Sequence, residues 1–108
     1  MCHKNAIYEV TCLLCVERYG GETEQCAHYR LGEHKRGAQN PFIYEENALA
    51  QHYRLKHAGV PPKLKYNIID VQPITVRRKI VEAMYILREK PEINNKSELT
   101  YLCKYLVE

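Results

Sequence analysis

Residues 6 to 12, "AIYEVTC", alternate Ile7, Glu9 and Thr11 against Tyr8 and Val10 in a run rich in Ile, Tyr, Val and Thr. This pattern predicts a strand with imperfect burial on both faces. "VERYGGE" (16 to 22) predicts its hairpin partner, and Gly20 and Gly21 either end that strand or let another group approach its backbone. From about Glu24 to Lys35 the period becomes helical, with Ala27, Leu31 and His34 on one stripe and Arg30 at its edge. "GAQNPFIY" (37 to 44) reads as a loop, and a second helix follows from about Glu45 to Lys56, stopped by Gly59 and Pro61-Pro62. "LKYNIIDVQ" (64 to 72), bounded by Pro73, predicts a third strand. Val76, Ile80, Met84 and Leu87 then mark the buried face of a helix of about fifteen residues that ends before Pro91. Glu82 falls roughly opposite that stripe, beside Arg78 and Glu89, so periodicity makes it a solvent-exposed glutamate. Asn95 with Glu98 resembles a capping box for a short C-terminal helix that buries Leu99, Leu102 and Leu106. The order β-β-α-α-β-α-α describes one small α/β (α+β) domain, residues 1 to 108, around a three-stranded sheet.

A chain of 108 residues builds only a modest core, so a metal staple would help it fold. Five cysteines are an odd count without the look of a disulfide framework, and no apolar run before residue 20 could act as a signal peptide. A reducing intracellular compartment is the expected setting, the nucleus if the substrate is DNA. No stretch approaches the ~20 apolar residues of a membrane span. Net charge is only +3, but basic residues gather in "HKR" (34 to 36), "KLK" (63 to 65) and "RRK" (77 to 79), which form either a polyanion-binding face or an ordinary solvated surface.

Within the predicted hairpin, Cys12 and Cys15 are spaced C-x2-C, and His52 and His57, spaced H-x4-H, follow after 36 intervening residues. Two thiolates and two imidazoles suit tetrahedral zinc, and both spacings fall in the usual ligand windows. Such a site would tie the hairpin to the end of the second helix. Because positions i and i+5 sit apart around a regular helix, His57 is expected where the helix frays toward Gly59. Cys26, His28, Cys2 and His3 are competing ligands, and Cys26 and Cys103 otherwise read as core. Four protein ligands leave no open position, so the ion would be structural. The alternative is that both cysteines are small buried residues and both histidines are surface groups.

Arg30 and His34 stand one turn apart on a partly apolar stripe, where something polar should meet them; the alternative is that Arg30 snorkels, His34 is a satisfied boundary residue and the tyrosines simply pack. At this point the residues resemble the GIY-YIG nucleases. "AIY" (6 to 8) is similar to the GIY element, "RYGGET" (18 to 23) to the YIG element, and "RLGEH" (30 to 34) to the R-x-x-x-H helix. "RRKIVEAMYI" (77 to 86) resembles the helix that holds the family's metal-binding glutamate, and "PEIN" (91 to 94) its terminal asparagine motif. The likeness is nearest to the Penelope-like retroelement branch, which inserts a Cys-x-x-Cys between the tyrosine motifs and a His pair downstream. Ala6 and Gly20 depart from the pattern, standing where GIY has its first glycine and YIG its isoleucine.

The resemblance implies an antiparallel three-stranded sheet flanked by helices, and a DNA endonuclease, either freestanding or part of a larger reverse-transcriptase polyprotein, with site roles for Tyr8, Tyr19, Arg30, His34, Glu82 and Asn94. It implies a catalytic Mg²⁺ or Mn²⁺ on Glu82, beside the structural zinc on Cys12, Cys15, His52 and His57. The chemistry would use Arg30 as a bidentate clamp on phosphate and Tyr8 as general base, relayed by Tyr19 or His34. A module on the same scaffold that binds nucleic acid or protein without turnover is the alternative, and the Gly20 departure favours it.

Overall fold

The computed structural model describes residues 3–44, 47–58 and 60–94. Strand β1 (Ala6–Cys12) lies at the centre of an antiparallel sheet of order β2-β1-β3, between β2 (Arg18–Thr23) and β3 (Leu64–Val71). Helices α1 (Ala27–Gln39) and α2 (Ala48–Leu55) connect β2 to β3, and α3 (Thr75–Glu89) follows. The fold is the expected three-stranded α+β arrangement. The short C-terminal helix expected from Asn95 lies outside the described residues, as do Cys2 and Cys103.

Two-sided burial of β1 follows from its central place. Tyr8, Val10 and Cys12 join Tyr19, Ala38, Leu49 and Tyr53 in the main core, while α3 packs over β2 and β1. β2 is an edge strand, and exposed edge groups need a partner. The segment after α3 supplies it: Ile93 N–H donates to Arg18 O at 2.8 Å, and Arg18 N–H donates to Glu92 Oε1 at 3.0 Å.

Three boundaries or faces differ from the sequence reading. Helix α1 begins later than Glu24 and runs on through Gly37, Ala38 and Gln39, which had read as loop. Gly37 breaks nothing because its missing side chain admits Asn47, whose Cγ would lie 2.8 Å from an added Cβ. Asn47 in turn caps α2, its Oδ1 accepting from Leu49 N–H at 2.9 Å and Ala50 N–H at 3.1 Å, so that helix starts at Ala48 rather than Glu45.

The third difference concerns α3. Val76 and Met84 are 56% and 57% exposed and Leu87 is exposed too, whereas Arg78, Glu82, Ala83, Tyr85 and Ile86 are buried. The surface under α3 is charged: it presents Glu9, Arg18 and Glu22, so a polar helix face is the complementary one. Tyr85 O–H donates to Glu9, and Arg78, fully buried, donates Nε to Glu22 Oε2 at 2.6 Å and Nη2 to Glu24 Oε1 at 3.0 Å. Its Nη1 reaches Asn5 Oδ1 at 3.1 Å and Gln72 O at 3.2 Å, which satisfies the buried cation. Lys79 also pairs with Glu22. The "RRK" cluster is therefore spent on internal ion pairs and offers only Arg77 to a polyanion.

Gly20 is explained by the same packing. An added Cβ would stand 2.8 Å from Tyr85 Cε2 and 3.1 Å from its Cδ2, so the ring of α3 occupies the space an isoleucine would need. Gly20→Ala is expected to destabilise the chain by about 1–3 kcal/mol, the usual range for overpacking. Urea unfolding checks this, and Gly20→Ala combined with Tyr85→Leu should recover part of the loss; a neutral Gly20→Ala would remove the explanation.

Candidate active site and metal centre

Cys12 ends β1 and Cys15 lies in the turn before β2; Cys12 N–H donates to Glu17 O at 2.8 Å and Val16 N–H to Cys12 O at 2.7 Å, closing the turn with both sulfurs on one side. His52 is in the last turn of α2, and His57 follows the cap residue Lys56, outside the regular helix as its spacing requires. The four ligand atoms all lie within 4.8 Å of one another. Both imidazoles present Nε2 inward, 3.1 Å apart; Cys12 Sγ is 3.4 Å from His57 Nε2, and Cys15 Sγ is 3.4 Å from His52 Nε2.

These separations fit a tetrahedron. Bonds of about 2.0–2.1 Å to nitrogen and about 2.3 Å to sulfur imply N···N and S···N edges of about 3.3 and 3.6 Å. The cluster can hold a metal ion such as zinc with no position left open. Supporting contacts surround it: Tyr53 Oη lies 3.1 Å from Cys12 Sγ, and Glu17 Oε1 lies 3.6 Å from His52 Nδ1, the carboxylate placement that orients a ligating imidazole. Burial, then the neighbouring His57, holds the His52 imidazole below its ordinary pKa and thus in the neutral form a metal needs. Of the competing ligands among the described residues, His3 and His28 are exposed and stand outside the cluster. Cys26 is buried with the core residues, as expected, and is disulfide-bonded.

The second constellation gathers on the other part of the sheet. Tyr8 on β1 and Tyr19 on β2 both enclose His34 of α1: Tyr8 Oη is 2.7 Å from His34 Nε2, and the Tyr19 ring meets the imidazole edge-on with centroids 5.0 Å apart. The space for Tyr8 is provided by Gly21, where an added Cβ would stand 2.6 Å from the Tyr8 hydroxyl. Arg30, one turn before His34, is half-buried beside the two tyrosines and forms an ion pair with Glu33 at 3.0 Å. Glu82 is only 7% exposed, contrary to its periodicity, and its charge acts on Tyr8 from α3. Tyr8, Tyr19, Arg30, His34 and Glu82 thus converge from four elements.

Asn94 has a different position. Its Oδ1 accepts from Gly20 N–H at 2.7 Å and its Nδ2 donates to Gly20 O at 2.8 Å, so it closes the outer edge of β2 next to Tyr19. Sequence reasoning also missed Gly21 as the floor under Tyr8, Arg78 as a buried cation, and Glu17 and Tyr53 around the metal ligands. Only Gly21 left a signal, as half of a glycine pair inside a strand.

Electrostatics keep the pair at the centre neutral. Burial raises the Tyr8 phenol well above its ordinary pKa, Arg30 pulls it down, and Glu82 and Glu22 oppose its ionisation further. Burial and then Arg30 push the His34 imidazole down from 6.5 to about 4. A histidine with a depressed folded pKa stabilises above its unfolded value, and that contribution is lost as pH falls from 6.5 toward 4. The shift corresponds to about 3 kcal/mol. Urea unfolding of wild type and His34→Gln across this window should show the extra loss in wild type alone; equal slopes would contradict it.

Among the described residues no helix is long and apolar enough to cross a membrane. No family model matches the chain, and no curated protein or solved structure matches it either.

Proposed function

We propose that the chain is a metal-dependent DNA endonuclease of the GIY-YIG type on a zinc-stapled scaffold. The observation that carries this reading is the convergence of two tyrosines, an arginine, a histidine and a buried glutamate from separate elements, in the set that the sequence resemblance selects. Phosphodiester hydrolysis needs an activated water, cover for charge on the phosphoryl oxygens and help for the leaving alkoxide. Glu82 is the residue that would hold a divalent ion, which when bound neutralises phosphoryl charge and acidifies water.

The remaining steps belong to the chain itself. Arg30 keeps its charge and forks onto two phosphate oxygens. Tyr8 accepts a proton from the attacking water as its own hydroxyl proton passes to His34 Nε2, 2.7 Å away. Tyr19 holds the imidazole edge-on, and Asn94 holds the backbone beside Tyr19 through Gly20. The packing of Tyr85 against Gly20 supports an intact rather than a decayed scaffold, because the glycine has a partner.

Plasmid nicking with Mg²⁺ or Mn²⁺ is the test. Wild type should convert supercoiled to nicked or linear DNA, and Glu82→Ala should fall to background. Cleavage that survives in Glu82→Ala would sink the mechanism, and DNA binding without cleavage under any divalent ion would leave a binding module.

A further inference from the structure

A cavity of about 590 Å³ opens beside the proposed active site, between α1, the end of β1 and the start of β3. The constellation described above uses only one of its wall residues, His34. Val10, Leu31, Leu64 and Tyr66 give the cavity apolar walls, and Lys35 and Lys63 stand on them exposed to solvent. Neither ammonium group takes part in the ion pairs among the described residues. His34 is 2% exposed, and while its Nε2 is committed to Tyr8, its Nδ1 is buried with no hydrogen-bond partner. An orphaned buried polar atom costs about 1–3 kcal/mol, so a partner supplied by a ligand would be favoured there.

We infer that this cavity is a nucleotide subsite, which takes one base and its phosphate from the strand being cut. The inference rests on the nuclease reading for the source of the nucleotide. Its volume falls within the range of small-molecule pockets, roughly 300–1,000 Å³. Leu31 and Tyr66 both line the cavity, and stacking on the Tyr66 ring accepts any base. Its edge carries the acceptor that His34 Nδ1–H lacks, and the two lysines complement the phosphate charge. An aliphatic ligand would leave Nδ1 unsatisfied, and a bare anion would leave the apolar walls unused.

Occupation of the cavity also acts on the chemistry. An acceptor on Nδ1–H fixes the tautomer in which Nε2 is the bare nitrogen, the form able to receive the Tyr8 proton. Binding at one ring nitrogen therefore prepares the other.

The test is an NMR titration of the full chain, loaded with zinc and free of other divalent ions, with 5′-dTMP and 5′-dAMP. Deoxyribose 5-phosphate and inorganic phosphate serve as controls. The nucleotides should shift the His34 ring and the Leu31 and Leu64 methyls with a Kd on the order of 1 mM. Tyr66→Ala and Lys63→Ala, both at exposed positions, should each weaken binding about 5-fold, roughly the loss of one partial stacking or phosphate contact. Equal shifts with deoxyribose 5-phosphate or phosphate would reduce the cavity to an anion site and overturn the proposal. Absence of any shift at about ten times that Kd would overturn it as well. Nicking by a chain that binds no nucleotide would sink only the subsite, whereas nucleotide binding without nicking would keep the subsite and sink the nuclease reading.

Discussion

Cys12→Ser is expected to abolish both the binding of one zinc ion per chain and cooperative folding. Cys12 is fully buried at the end of the central strand, and its sulfur touches Tyr53 as well as the metal ligands, so the site is continuous with the main core. Structural zinc sites contribute apparent binding free energies of about 10–16 kcal/mol, while a domain's whole net stability is about 5–15 kcal/mol. Loss of the ion therefore exceeds what a core of this size can absorb. Elemental analysis should give one zinc in wild type and none in Cys12→Ser, and a strong chelator should turn a sharp thermal transition into a broad one. Cys26→Ser, remote from the cluster, should keep its zinc. A cooperatively folded Cys12→Ser chain without metal would refute the staple.

The metal site was legible because each ligand pair is local. C-x2-C and H-x4-H are turn-sized spacings that constrain geometry whatever the fold, and the structure then brings the two pairs together through α2. The strands were legible for a similar reason, since period-two alternation and β-branched residues act within one element. What failed depended on partners far along the chain. Gly37 reads as a breaker until Asn47 fills its empty side. The apolar stripe of α3 reads as its buried face until the sheet beneath proves to carry Glu9, Arg18 and Glu22, which select Arg78 and Tyr85 instead.

Glu82 shows how the same effect reaches the candidate site. Its helical position alone gives an exposed residue, and only the sequence resemblance singles it out. In the fold it is buried because α3 turns its polar face inward. Asn94 likewise depends on a distant partner: the resemblance gives it a site role, and its amide holds the Gly20 backbone beside Tyr19. The disulfide at Cys26 adds a tension to the expected compartment. A reducing environment would open that bridge, while an oxidising one endangers the Cys12 and Cys15 thiolates that a metal requires.

Arg30→Lys should reduce DNA nicking by about 10²-fold, and Arg30→Ala by about 10³-fold or more, the range for loss of a preorganised charge contact. Two tasks of Arg30 separate between these variants. Lysine keeps the positive charge that draws the Tyr8 phenol downward, but it cannot fork onto two phosphate oxygens; alanine loses both. The difference between them should therefore appear in the pH profile: Arg30→Lys keeps the wild-type shape at lower rate, whereas Arg30→Ala moves the acid limb, where His34 protonates, to higher pH because the imidazole loses the cation that holds its pKa down. Stability should change little in either case, because the pair that Arg30 makes with Glu33 is a surface pair within one helix, worth about 0.3–0.5 kcal/mol. Unfolding curves of all three proteins exclude a folding defect as the cause of lost activity. If Arg30→Lys nicks at the wild-type rate, phosphate is not what the guanidinium grips; if Arg30→Ala does so too, the cluster around His34 has no part in cleavage.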